Sequence, residues 1–138
     1  MVGPGNGVWN YVHVLDLVHF YVALMNEMLQ SPPEKEQSLE GFYFVESGEF
    51  VWKDLFKAVA DAMVDMKALE PYKEMGTFSA EDLKKYMEGD ATWAMLGSNA
   101  RCRAERAKAL GWKPTQPDLF KTVAEDVARA YHAKDLVR

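Results

Sequence analysis

At 138 residues the chain is the size of one domain, long enough to bury roughly 68–70% of the surface its unfolded form exposes. Hydrophobic residues make up 49% and charged residues 27%, which excludes disordered and collagen-like chains. The net charge of −5, with no stripe of Lys and Arg to neutralise phosphates, argues against nucleic acid as a partner.

The single cysteine, Cys102, rules out an intrachain disulfide and makes a thiolate metal site improbable, so a reducing, cytoplasmic location is expected. The first residues carry neither a basic nor an apolar leader segment. The longest apolar-rich stretch, Val12 to Leu29, is broken by His13, Asp16, His19, Asn26 and Glu27 and falls short of the ~20 apolar residues that span a bilayer. A membrane is therefore not an expected partner.

In chain order, the Gly3, Pro4, Gly5 and Gly7 cluster predicts a loop, followed by a short extended segment over Val8–Val14. Asp16 is positioned to cap a first helix over Asp16–Gln30, which ends at Ser31-Pro32-Pro33. The apolar positions of that helix cover more than one face, as expected where protein lies on most sides. Glu34–Glu40 reads as a solvated loop, and aromatic and β-branched content predicts a strand over Gly41–Glu46. Ser47-Gly48 reads as a turn toward Phe50-Val51.

A second helix is predicted from about Trp52, with Leu55, Phe56, Val59, Ala60 and Met63 recurring at helical spacing. Lys67–Phe78 is irregular. Ser79, followed by Glu81 and Asp82, caps a short helix running to about Glu88 and closed by Gly89. Ala91–Leu96 is ambiguous, Gly97-Ser98-Asn99 turns, and a basic helix over Arg101–Leu110 stops at Gly111. Trp112 folds back on that helix. From Pro117 the stripe Leu119, Phe120, Val123, Ala124, Val127 and Tyr131 marks a terminal helix. The expected fold class is α+β, mostly helical, with a small β element and about five helices in a single module.

The segment Trp9-Asn10-Tyr11-Val12-His13-Val14-Leu15-Asp16-Leu17 resembles the passage that opens the C-terminal half of extended short-chain dehydrogenase/reductases, the epimerase/dehydratase-like group. Gly41–Lys53 and Arg103–Pro114, the latter containing Leu110-Gly111-Trp112-Lys113-Pro114, follow in that family's order, so the resemblance spans nearly the whole chain. It implies a substrate-side domain whose pocket, in full-length relatives, faces a Rossmann half. The chain departs from the family pattern at Leu15 and Cys102. The glycines at 3, 5 and 7 lack the preceding strand and following helix of a pyrophosphate loop, and no Tyr has a Lys four residues later. No cofactor is expected to bind this chain.

His13, Asp16 and His19 recur at intervals of three, yet residues six apart on a helix are separated by about 240°, so the two histidines cannot share one tetrahedral centre. His19 is the candidate proton carrier and Arg101 the candidate anion holder, set against placement on a solvated helix face. In a stand-alone small-molecule-binding protein, Trp9, Tyr11, His13, Tyr43 and Asn99 would line the site with His19 and Arg101, set against placement of the aromatic residues in the core.

Two functions are expected. One is a stand-alone protein that binds an apolar small molecule and performs a cofactor-independent isomerisation, cyclisation or elimination. The other is a non-catalytic module completing an NAD(P)-dependent epimerase or reductase. A homodimer or a partner Rossmann half would cover the first helix.

Overall fold

The computed structural model describes residues 1–30, 42–86 and 90–133. Its architecture is α+β and mostly helical: β1 (Val8–Tyr11), α1 (Val14–Gln30), β2 (Gly48–Val51), α2 (Trp52–Asp65), α3 (Ala80–Tyr86), α4 (Asp90–Leu96), α5 (Glu105–Ala109) and α6 (Leu119–Ala133). The two strands form one sheet. Ser47 N–H donates to the Tyr11 carbonyl and Trp52 N–H to the Gly7 carbonyl, so the strands run antiparallel. The predicted loop over 34–40 and the stop at Gly89 lie outside the described residues.

The chain divides into two compact units. One is built from Met1–Trp9, Phe50–Ala100 and the segment from Asp118 onward; the second from Asn10–Glu49 and Arg101–Pro117.

In the first unit, the opening glycines make close backbone contacts. The Gly5 carbonyl accepts from Lys53 N–H at 2.8 Å, and a Cβ on Gly5 would meet the Lys53 Cβ at 2.9 Å. Val2, 1% exposed, is locked beneath this turn. The α2 stripe packs against α6, whose Val123 is buried. At its end, Lys67 N–H donates to the Val64 carbonyl and Ala68 N–H to that of Met63, with Lys67 itself at φ 60. This is a Schellman closure built on a residue with a Cβ. The predicted Ser79 cap is present as a reciprocal box: Ser79 Oγ accepts from Asp82 N–H at 3.1 Å and an Asp82 carboxylate oxygen accepts from Ser79 N–H at 2.9 Å. The ambiguous 91–96 stretch is helical, which brings the helices among the described residues to six.

Pro117 does not open the last helix. Asp118 caps it instead, its Oδ1 accepting from Phe120 N–H at 3.0 Å, because a carboxylate satisfies a first-turn amide and proline only tolerates the position.

The second unit is organised around Phe20 and Trp112, with Ala104 and Ala107 filling the space between larger groups. Burying a side chain the size of Phe20 contributes roughly 1.5–3 kcal/mol. Ala104 and Ala107 are both 0% exposed, so any added carbon must displace a neighbour. Gly111, at φ 84, closes α5: its N–H donates to the Lys108 carbonyl and Trp112 N–H to that of Ala107. The same closure turns the Trp112 indole back onto α5, as the sequence predicts.

Two sequence expectations are corrected here. Gly41 lies outside the described residues, and Phe42–Glu46 is extended but joins no ladder. Its alternation serves packing instead: Tyr43 and Val45 face the Phe20–Trp112 core while Phe42 and Phe44 face outward. The strand lies at Gly48–Val51, where a turn was expected. The basic helix is confined to Glu105–Ala109 because side-chain acceptors from elsewhere in the unit hold residues 101–104 outside the helix.

Candidate functional site

The densest polar constellation in the second unit forms around Glu49 of β2. Arg101 grips its carboxylate with two parallel bonds, Nε at 3.0 Å and an Nη at 2.8 Å, and Arg103 adds a third at 2.7 Å. These two guanidinium groups hold the Glu49 carboxyl down to about 2. Asn10 of β1 works as a second clasp: its Nδ2 donates to the Gly48 carbonyl at 3.2 Å and its Oδ1 accepts from Cys102 N–H. The third is Glu46, 5% exposed, which accepts from Ala104 N–H at 3.3 Å and Lys108 Nζ at 3.1 Å. Three acceptors, one on β1 and two at or just before β2, thus take successive groups of 101–104. Burial pushes the Cys102 thiol above its ordinary value, which keeps it protonated.

Each residue expected to carry chemistry has a definite place. Arg101 is a structural clasp on Glu49. His13 caps α1, its Nδ1 accepting from Leu15 N–H at 3.2 Å. Asp16 therefore does not cap the helix; it sits inside the first turn, 0% exposed, and accepts from Thr115 N–H at 2.9 Å, Thr115 Oγ1 at 3.2 Å and Gln116 N–H at 3.2 Å. His19 is exposed on α1, and among the described residues no hydrogen bond or ion pair joins it to Arg101. Tyr43 packs on Phe20 at 5.6 Å between ring centroids, with the Arg106 guanidinium 4.7 Å above its other side. The Tyr11 ring lies where a side chain at Gly48 would stand.

Trp9 and Asn99 belong to the first unit. The Trp9 indole donates to the Ser98 carbonyl at 3.0 Å, and Asn99 Oδ1 accepts from Val8 N–H at 2.8 Å. The structure thus brings Trp9 and Asn99 to one stretch and places Tyr11, His13, His19, Tyr43 and Arg101 in the other unit. Glu46, Glu49 and Asn10 were not singled out from sequence. The signal available was the i, i+2 spacing of Arg101 and Arg103, which puts both on one side of an extended segment and calls for an acid opposite.

The first unit carries an open cleft of about 340 Å³ beside α2. Asp61 accepts from Lys57 Nζ at 2.5 Å and from the Tyr72 hydroxyl at 2.6 Å. The lysine and the phenol hold the Asp61 carboxyl below its ordinary value, while the Asp61 charge raises Tyr72. Asp61 stays ionised and Tyr72 neutral, so neither exchanges a proton readily near neutral pH.

The Gly3–Gly7 turn does not fit the pyrophosphate of a dinucleotide. The Gly3–Gly7 turn leads into strand β1 rather than a helix, and the Gly5 and Gly7 carbonyls are already acceptors for Lys53 and Trp52. Among the described residues no group of three or more His, Cys, Asp or Glu is placed to hold a metal, and no helix is long and apolar enough to cross a membrane.

The most extensive unsatisfied surface is apolar. Val14, Leu15, Val18, Tyr21, Val22, Met25, Met28 and Leu29 of α1 are 47–77% exposed, while Asp16 and Phe20 of the same helix are buried. Eight large apolar side chains on one helix exceed the scattered exposure normal for a monomer surface.

Comparison with known proteins finds a likeness to the oxidase ucsJ of an Acremonium species, 30% identical over 87% of this chain. The match covers 36% of that oxidase, so the chain spans little more than a third of the relative's length. No family model matches the chain. No solved structure matches it.

Proposed function

We propose that this chain is the substrate-side module of an oxidoreductase of the extended short-chain dehydrogenase type, contributing apolar binding surface while a separate nucleotide-binding half supplies the redox chemistry. The observation that carries this reading is the commitment of the polar residues. Arg101, Asn99 and Asp16 each tie one chain segment to another, and His13 caps α1, which is the work of a scaffold. Likeness to an oxidase over 36% of its length supports the same division of labour. A single cysteine with no second to pair suits the cytoplasm.

The test is a segment exchange: this chain replaces the matching segment of the Acremonium oxidase, and the isolated chain is titrated in parallel with NAD⁺ and NADP⁺ by calorimetry. An active chimera together with an isolated chain that binds neither nucleotide supports the module. Turnover by the isolated chain, or nucleotide binding to it, would overturn the reading in favour of an independent enzyme.

A further inference from the structure

The eight exposed apolar residues of α1 follow a pattern that identifies what covers them. Val14, Tyr21 and Met28 are seven apart, as are Leu15, Val22 and Leu29, and Val18 and Met25 complete a heptad stripe. The stripe runs about 22 Å along the helix at 1.5 Å per residue. Its steps are 1, 3, 3, 1, 3, 3, 1, the same from either end. When such a helix is turned end for end about a point between Tyr21 and Val22, every stripe residue lands opposite another: Val14 on Leu29, Leu15 on Met28, Val18 on Met25, and Tyr21 on Val22.

The pairs also match in size. Val14 meets Leu29, Leu15 meets Met28, Val18 meets Met25 and Tyr21 meets Val22, so each valine faces a larger side chain and no pair sets two of the smallest residues together. None of the eight carries a charge that self-pairing would bury. Antiparallel pairing also brings the positive end of one helix dipole to the negative end of the other, and α1 has no basic residue of its own in its last turn to serve there.

We propose that α1 is the interface of a two-fold symmetric homodimer, packed antiparallel against α1 of a second copy. A self-complementary surface is what a two-fold axis requires, since each residue must face its counterpart's partner. At 47–77% exposure the eight residues present on the order of 100 Å² each, together close to the ~800 Å² per partner of a standard interface. The oxidoreductase reading can fail with the dimer intact, whereas a nucleotide-binding half seated on α1 would compete with the pairing and leave the chain monomeric at every concentration.

The experiment is light scattering of the full chain over a hundredfold dilution, with single-cysteine cross-linking in a Cys102→Ser background. The wild type is expected as a dimer, and Val22→Glu as a monomer with an unchanged circular dichroism spectrum, its dissociation constant raised about a hundredfold or more. Under mild oxidation Val22→Cys is expected to cross-link to itself. Val18→Cys and Met25→Cys are each expected to remain uncross-linked alone, because like positions lie about 10 Å apart along the axis, and to join when mixed. A monomer at every concentration, a dimer that survives Val22→Glu, or self-cross-linking of Val18→Cys alone, as a parallel pair would give, overturns the proposal.

Discussion

The Trp112 indole N–H donates to the backbone carbonyl of Asp16 at 2.8 Å, while the carboxylate of the same aspartate receives the amides of Thr115 and Gln116. One buried residue thus fastens the first turn of α1 to the chain leaving α5, using its main chain for the aromatic ring and its side chain for the loop beyond.

Asp16→Ala is expected to destabilise the protein by about 2–3 kcal/mol, because two backbone amides and a hydroxyl lose a charged acceptor that is itself fully buried. Asp16→Asn keeps one acceptor oxygen and should cost less. Urea unfolding at neutral pH measures both, read as a shift of midpoint at constant slope.

The two Schellman closures make opposite predictions. Lys67 occupies a left-handed position with a Cβ, so Lys67→Gly should stabilise by about 0.5–1 kcal/mol, the αL cost less glycine's unfolded-state entropy. Gly111→Ala places a Cβ at φ 84 and should destabilise by about 1 kcal/mol or more. Thermal melts of the two variants should move in opposite directions.

These closures also mark what was legible in the sequence. The Gly111 stop, the Ser79 cap and the α2 and α6 stripes depend on residues within a turn or two of one another, and local chemistry decides them. Residues 101–104 are held out of the helix by Asn10, Glu46 and Glu49, more than fifty positions away, so their basic composition reads as helix. Phe42–Glu46 had strand composition, yet the element it packs on is the aromatic core and not another strand. The site is obscured for the same reason: the carboxylate that pairs with Arg101, Glu49, lies fifty-two positions away in the sequence.

Glu49 gives a pH signature. Its folded value, about 2, lies below its ordinary value of 4.5, so the clasp contributes its full stability above about pH 5 and loses it as pH falls toward 2. Melting temperature followed between about pH 2 and 6 should show this loss in the wild type. Glu49→Gln should be less stable at neutral pH and should flatten that part of the profile.

Tyr72 supplies an alkaline counterpart. The Asp61 carboxylate raises the phenol above its ordinary value by accepting its proton in a hydrogen bond. Asp61→Asn should therefore shift phenolate formation at Tyr72 to lower pH, seen as an earlier step in the ultraviolet titration relative to wild type. An unshifted step would mean that the 2.6 Å bond does not persist in solution.

The distribution of indoles gives the molecule its own optical readout. Trp9 and Trp52 stack edge to face at 5.4 Å in the first unit, and Trp112 is sealed against Phe20 in the second. With Trp93 and the Trp9/Trp52 pair changed to Phe, the remaining emission should begin blue-shifted and move to the red when the core around Phe20 opens. In the complementary variant, keeping Trp9 and Trp52, the close pair should report the other unit by exciton coupling in the near-ultraviolet. Whether the two signals coincide on heating decides whether the chain melts as one cooperative body or as two.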